Sequence, residues 1–275
     1  MLIEAYILCW NEEKLLPFTL EHYSSFCDVI HLLDNHSCDD SLKIAETFPK
    51  VTVTQWESPE GPDMYDERSN ILMKNCSYDD LGVGADWVCI VDCDEFVYHP
   101  RLREKLEDYM YDGITLPKTV GYDMISEEFP TPGSPLTEQI TKGIYEPGMS
   151  KRSVFDPRIG IKYACGSHDS GVSPNYGMVG EYNEEGVERV ALPPRYTSTL
   201  VPVESPEDEI LYGEAIKILH YKDLSASYKI ERLKRLSARM SDWCLDNAQS
   251  IHWLQTEEEI HAYFKKRLPI AQDVI

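Results

Sequence analysis

Three carboxylates stand within four residues where an apolar run ends: Asp92, Asp94 and Glu95 close the stretch Ala85-Asp86-Trp87-Val88-Cys89-Ile90-Val91-Asp92-Cys93-Asp94-Glu95-Phe96. In an extended backbone residues i and i+2 face the same way, so Asp92 and Asp94 are expected to project together. Two carboxylates about 7 Å apart repel by about 2 kcal/mol at an effective dielectric of about 20. A hard divalent cation with oxygen ligands removes that cost. The plainer alternative is an acidic loop capping a helix from Pro100 to Met110.

Other polar groups sit where strands should end. Leu2 to Cys9 reads as a strand buried on both faces. Asn11 is expected to cap the next helix, with Glu12 and Glu13 in its first turn, where the macrodipole favours acids. Val29 to Leu33 is a second strand, ending in Asp34-Asn35-His36-Ser37. Asp39 to Phe48 reads as helix, Val51 to Trp56 as strand, and Met64 to Tyr78 as helix ahead of the acidic strand. This alternation predicts a mostly parallel sheet flanked by helices, and ligands of such sheets lie beyond the carboxyl ends of the strands.

The middle of the chain differs. Ser126 to Ser150 is rich in Pro and Gly and predicts loop. Short strands are expected at Ser153 to Phe155 and Ile159 to Cys165, with irregular chain from Gly166 to Pro206. Within it, Gly166-Ser167-His168-Asp169-Ser170 is a polar knot that is either a site edge or a turn. A last strand from Ala215 to Leu219 precedes His220-Tyr221, and two helices close the chain, the second opened by the capping-box pair Thr256 and Glu259.

Composition narrows the partners. With 26 Lys and Arg against 48 Asp and Glu, the formal charge is −22, which repels nucleic acid and anionic lipid. Yet six basic residues fall in one run: Lys222, Lys229, Arg232, Lys234, Arg235 and Arg239. They form either a solvated helix face or a lining for an anionic ligand, and Lys151 and Arg152 are similar candidates. The eight cysteines contain no C-x-x-C pair and predict no disulfide framework. No apolar run is long enough to span a bilayer, and the N-terminus lacks a basic leader, so a soluble, cytoplasmic protein is expected.

Taken in order, Leu8-Cys9-Trp10-Asn11-Glu12-Glu13, Leu33-Asp34-Asn35-His36-Ser37-Cys38-Asp39, Val91-Asp92-Cys93-Asp94-Glu95-Phe96 and His220-Tyr221 resemble the family 2 glycosyltransferases. The resemblance covers most of the first hundred residues and thins after Gly121. It implies a GT-A, Rossmann-like α/β fold with C-terminal helices. Residues 1–120 would form the nucleotide-sugar-binding half and 121–275 the acceptor-side half of one continuous domain. It further implies a nucleotide-diphosphate sugar donor bound by Asn11, Glu13, Asp34, Asn35, Arg68, Asp92, Lys222 and Arg232. Mn²⁺ or Mg²⁺ would sit on Asp92, Asp94 and His220. Asp169 would serve as base for the acceptor hydroxyl, with Glu95 as a further catalytic or orienting carboxylate and His168 on the acceptor side or, in place of His220, on the metal. The family often has Asp-Asp-Gly-Ser where this chain has Asp34-Asn35-His36-Ser37, which leaves the nucleotide open.

The acceptor hydroxyl could belong to a glycan, a lipid-linked carrier, a protein or a modified nucleic acid, the charge counting against the last. Two other functions compete. A phosphohydrolase would use Asp92 as nucleophile, but Glu95-Phe96 stands where that class wants Thr or Val. A non-catalytic nucleotide-sugar-binding module would be favoured by a degraded Asp-x-Asp, and Asp92 and Asp94 are both present.

Overall fold

The computed structural model describes residues 1–58, 61, 64–80, 84–117, 119–163 and 215–275, and between the last two the strands 170–172, 180–182, 188–191 and 197–200. Its first half alternates as expected: β1 (Ile3–Cys9), α1 (Leu16–Ser24), β2 (Val29–Asp34), α2 (Ser41–Ala45), β3 (Val51–Gln55), α3 (Glu67–Asp80), β4 (Trp87–Asp92), β5 (Glu95–Tyr98) and α4 (Leu102–Asp112). Next come β6 (Val120–Ile125), α5 (Leu136–Gln139), β7 (Lys142–Tyr145), β8 (Val154–Phe155) and β9 (Ile161–Tyr163). The described chain ends with β14 (Lys217–Asp223), α6 (Ala226–Ser237), α7 (Asp242–Asp246), α8 (Glu257–Arg267) and β15 (Gln272–Asp273). The strands at 170–172, 180–182, 188–191 and 197–200 are β10 to β13.

The fold is α/β, with a mostly parallel sheet flanked by helices. Its strands run β3-β2-β1-β4-β8, all parallel except the short β8. Every residue of β1 is buried, as a central strand covered on both faces requires. Alternation divides its side chains. Ile3, Ala5 and Ile7 pack with Leu16, Leu20 and Tyr23, whereas Tyr6 and Leu8 pack with Ile71, Tyr78 and Phe155.

Registry sets the site. Cys9 lies beside Asp34 and Leu8 beside Asp92, so the three central strands end at one edge. A second sheet, β15-β7-β6-β14-β5, begins immediately after β4, because only Cys93 and Asp94 separate β4 from β5. Helix α1 packs between the two sheets, offering Leu16 and Leu20 to the first core, and Leu15 and Phe18 to a cluster with Phe96, Leu219 and Tyr221.

Several local expectations change. Asn11 caps no helix: α1 starts five residues later, with Pro17 in its first turn, and Asn11 adopts a left-handed φ of 51°. The 126–150 segment contributes β7 to the second sheet. His220 and Tyr221 lie inside β14 rather than after it. The Thr256–Glu259 capping box is present in full. No helix among the described residues is long and apolar enough to cross a membrane.

Two outcomes are expected from this packing. A Cβ on Gly121 would stand 2.2 Å from the Met149 carbonyl carbon, so Gly121→Ala should cost about 1–3 kcal/mol, read as a lowered thermal midpoint. His22 stacks on Phe96 at 4.5 Å, its Nε2 2.9 Å from the Val97 carbonyl. Burial pushes its imidazole down to about 4 from 6.5, against the Val97 carbonyl that favours the proton. The unfolded chain therefore takes up this proton first, and stability present above pH 6.5 falls as pH drops toward 4. His22 should contribute a loss of at most about 3 kcal/mol to urea unfolding across that window, and His22→Gln should remove that share while leaving the one from His252, which is lowered in the same way.

Candidate active site

Asp92 and Asp94, expected to project together, meet different cations. β4 ends at Asp92, and Cys93-Asp94 is a turn, so the alternation of an extended strand is broken between them. Asp92, about one-third exposed, faces Lys74 of α3, whose Nζ lies 2.9 and 3.0 Å from its two oxygens. Asp94 turns the other way, into the protein. Its carbonyl accepts from the Tyr221 amide at 2.7 Å. Its Oδ2 accepts from Arg232 Nη1 of α6 and lies 3.4 Å from His220 Nε2. Burial alone would raise the Asp94 carboxyl, but the Arg232 guanidinium and His220 hold it well below the usual carboxylate range.

Arg232 bridges two motifs. Its Nε and Nη2 donate to Glu12 Oε1 at 2.9 and 2.7 Å, and the Tyr228 hydroxyl donates to the other Glu12 oxygen at 3.4 Å. Burial raises the Glu12 carboxyl despite that guanidinium. His220 stands in register with Glu95 on one side and Asp123 on the other. Its Nδ1 is 3.1 Å from Asp123 Oδ1, which also meets Lys222 Nζ at 2.9 Å, while Arg267 donates to Asp123 Oδ2 at 3.0 Å. Burial and Lys222 oppose a charge on His220, but Asp94 and Asp123 outweigh them and raise its pKa. Glu95 is buried against Lys151, and its Oε2 accepts from the Asp92 amide at 3.3 Å. Burial would raise Glu95, but Lys151 and Lys74 bring it below its ordinary value.

The same helix reaches the ends of β1 and β2. Arg235 donates to the Asn11 carbonyl, and Arg239 to Asn35 Oδ1, with its guanidinium 3.9 Å over the Trp10 ring. Asn35 Nδ2 donates to the Trp56 carbonyl at 3.0 Å. Asn11 Oδ1 accepts from the Cys38 and Asp39 amides at 2.7 and 3.3 Å, tying the first two motif loops together. Asp34 is fully buried, accepting from the Ser37 amide and from Gln55 Nε2 at 3.3 Å.

Asn11, Asp34, Asn35, Asp92, Asp94, Glu95, His220, Lys222 and Arg232 lie around one edge of the strand ends. Glu13 instead is exposed and accepts from the Asp40 amide. Arg68 is held on Asp66 and over Trp243. His168 and Asp169 lie outside the described residues. Glu12, Lys74 and Asp123 enter without having been singled out for the site, and Arg235, Arg239 and Lys151 acquire definite partners. Glu12 was visible beside Asn11; Lys74 and Asp123 belong to no motif.

The donor set as arranged does not make a metal shell. Among the described residues, no three His, Cys, Asp or Glu side chains are placed to hold an ion. Asp92 and Asp94 diverge, and each already has a protein cation.

No protein-family model matches the chain, nor does any curated protein. Solved structures match in part. Residues 1–349 of TarS from S. aureus are 14% identical with a TM-score of 0.34, over 58% of this chain and 48% of that one. Glucosyl-3-phosphoglycerate synthase from Mycobacterium tuberculosis, crystallised with Mn²⁺, UDP and phosphoglyceric acid, is 20% identical with a TM-score of 0.31, over 44% and 43%. The 4-diphosphocytidyl-2C-methyl-D-erythritol synthase of Anaerococcus prevotii is 14% identical with a TM-score of 0.35, over 57% and 70%. The match spans less than half the length of the first two proteins.

The buried Lys151–Glu95 pair yields a test. Lys151→Met should destabilise by about 3–5 kcal/mol, because it strands a buried carboxylate. Adding Glu95→Leu should restore a large part of that loss in urea unfolding. Equal instability of the double variant would mean that Glu95 has another essential partner.

Proposed function

We propose that the protein transfers a sugar from a nucleotide-diphosphate donor to an acceptor hydroxyl, on a GT-A-type fold. One observation carries this reading: the ends of β1, β2 and β4 bring Asn11, Asn35 and Asp94 to one edge, and the arginines of α6 and its following turn meet all three. Ligands of open α/β sheets sit at that edge. A diphosphate leaving group needs fixed positive charge there, and preorganised cations stabilise developing charge without reorganisation.

The roles follow from position. Asp34 and Asn35 at the end of β2 would lie toward the nucleoside. Arg232 and Lys222 would face the diphosphate. Glu95, held by Lys151, keeps the Asp92–Asp94 turn in shape through the Asp92 amide. Asp169 is assigned as base for the acceptor hydroxyl from its sequence setting alone.

An acceptor has a groove of about 470 Å³ lined by Phe18, Phe129, Pro130 and Tyr228, with Glu13 and Glu231 among its acidic residues. Aromatic faces suit the apolar side of a sugar or a lipid-linked carrier. Tyr228 joins this groove to Glu12 and hence to Arg232.

A thermal-shift screen of UDP- and GDP-sugars is the first test. One donor should raise the midpoint, and its turnover should release the nucleoside diphosphate. Lys222→Gln, at the half-exposed margin of the cluster, should lower kcat about 10²-fold with the fold intact. Absence of any shift across the donor panel would overturn the reading. Hydrolysis of a generic phosphomonoester, abolished by Asp92→Asn, would establish a phosphohydrolase in its place.

A further inference from the structure

We propose that Arg232 is the resident cation of this site, its guanidinium holding the place beside Asp94 that the Asp-x-Asp pattern would assign to a divalent metal, so that a nucleoside diphosphate binds without one. The part concerning the diphosphate rests on the transferase reading above; the part concerning the cation does not.

Asp92, Asp94 and His220 each already face a charged protein group. Asp92 has both oxygens on Lys74 Nζ, at 2.9 and 3.0 Å, and that lysine is 3% exposed. Drawing Asp92 toward a metal would take a carboxylate from a buried ammonium, which low-dielectric surroundings penalise. His220 presents Nε2 to Asp94 and Nδ1 to Asp123, at 3.4 and 3.1 Å. Both ring nitrogens of His220 therefore already face carboxylates. Asp94 itself carries Arg232 on Oδ2.

Arg232 is fixed as firmly as a structural ion. It is 13% exposed, and Glu12 takes two of its N–H groups while Asp94 takes a third. A guanidinium has five N–H groups, so two are left over in these contacts, and its planar fork matches phosphate oxygens. Unlike lysine, it stays charged at every accessible pH. The counter-charge around it is balanced locally: Lys151 meets Glu95, while Lys222 and Arg267 meet Asp123. Nearby, Arg235 and Arg239 rest on the neutral oxygens of Asn11 and Asn35. An arriving polyanion therefore meets an edge richer in cations than the −22 of the whole chain suggests.

The test uses Mn²⁺ alone and UDP or GDP on the EDTA-stripped full chain. By electron paramagnetic resonance, Mn²⁺ alone should show no site that Asp94→Asn removes. By calorimetry, the nucleotide should bind with the same Kd in EDTA and in Mn²⁺, within about twofold, and Arg232→Lys should weaken it about tenfold or more, with no rescue by Mn²⁺. Stoichiometric Mn²⁺ binding to wild-type protein that Asp94→Asn abolishes, or nucleotide binding lost in EDTA and restored by Mn²⁺, would overturn the proposal. The Mn²⁺ titration of wild-type protein needs no variant to fold. If neither nucleotide binds under either condition, the transferase reading falls, and the Mn²⁺ titration still decides whether Arg232 stands in for a metal.

Discussion

The guanidinium of Arg232, set between Glu12 and Asp94, is the contact on which the rest of the site depends. Glu12 follows the first strand, Asp94 forms the turn where the first sheet hands over to the second, and Arg232 comes from a helix more than a hundred residues later. One side chain thus joins three parts of the chain. Burying those charges is costly in isolation, and the pairing repays that cost only because the geometry is fixed on every side. Asp94 is anchored by the Tyr221 amide through its carbonyl, and Glu12 by the Tyr228 hydroxyl. Such a network contributes little net stability over a well-packed apolar core. It penalises any arrangement in which a single partner is missing, and so fixes how helix α6 closes over the strand ends.

The strand order gives this network its shape. Parallel pairing of β1 with β2 and β4 aligns three strand ends, while β14 lies between β5 and β6 and brings His220 level with Glu95 and Asp123. This edge is therefore built by two sheets sharing the Cys93-Asp94 turn. Helix α1 packs between them, through Leu16 and Leu20 on one side and Leu15 and Phe18 on the other.

Much of this was legible in the residues, because its signals are local. Apolar runs of strand length, separated by helical periodicity, specified the first five elements, and polar residues at their ends marked the edge. What was illegible depended on phase or distance. Asn11 reads as a helix cap by residue type, but asparagine also tolerates the left-handed region, and Pro17 moves the helix start downstream. That shift in phase is why Glu12, rather than Glu13, points inward. Lys74 and Asp123 sit on otherwise ordinary elements, and only the folded chain sets them against Asp92 and His220. No spacing in the sequence encodes a pair 18 or 97 residues apart.

The Asp-x-Asp pattern illustrates the limit of motif reasoning most sharply. Neighbouring carboxylates repel, and something positive must intervene. The pattern does not say what that something is. An extended strand would aim both aspartates at one ion, but a turn beginning at Cys93 sends them apart. Two separate monovalent cations meet the two carboxylates at contact distance. Lys74 and Arg232 do this from opposite sides. The chemistry of the site is then set by which of these cations can also reach a ligand. Lys74 is buried beside Asp92 and presents a point charge, whereas Arg232 spans two carboxylates with a planar fork. On the proposal that a diphosphate binds here, that difference in shape favours Arg232 over Lys74 as its partner.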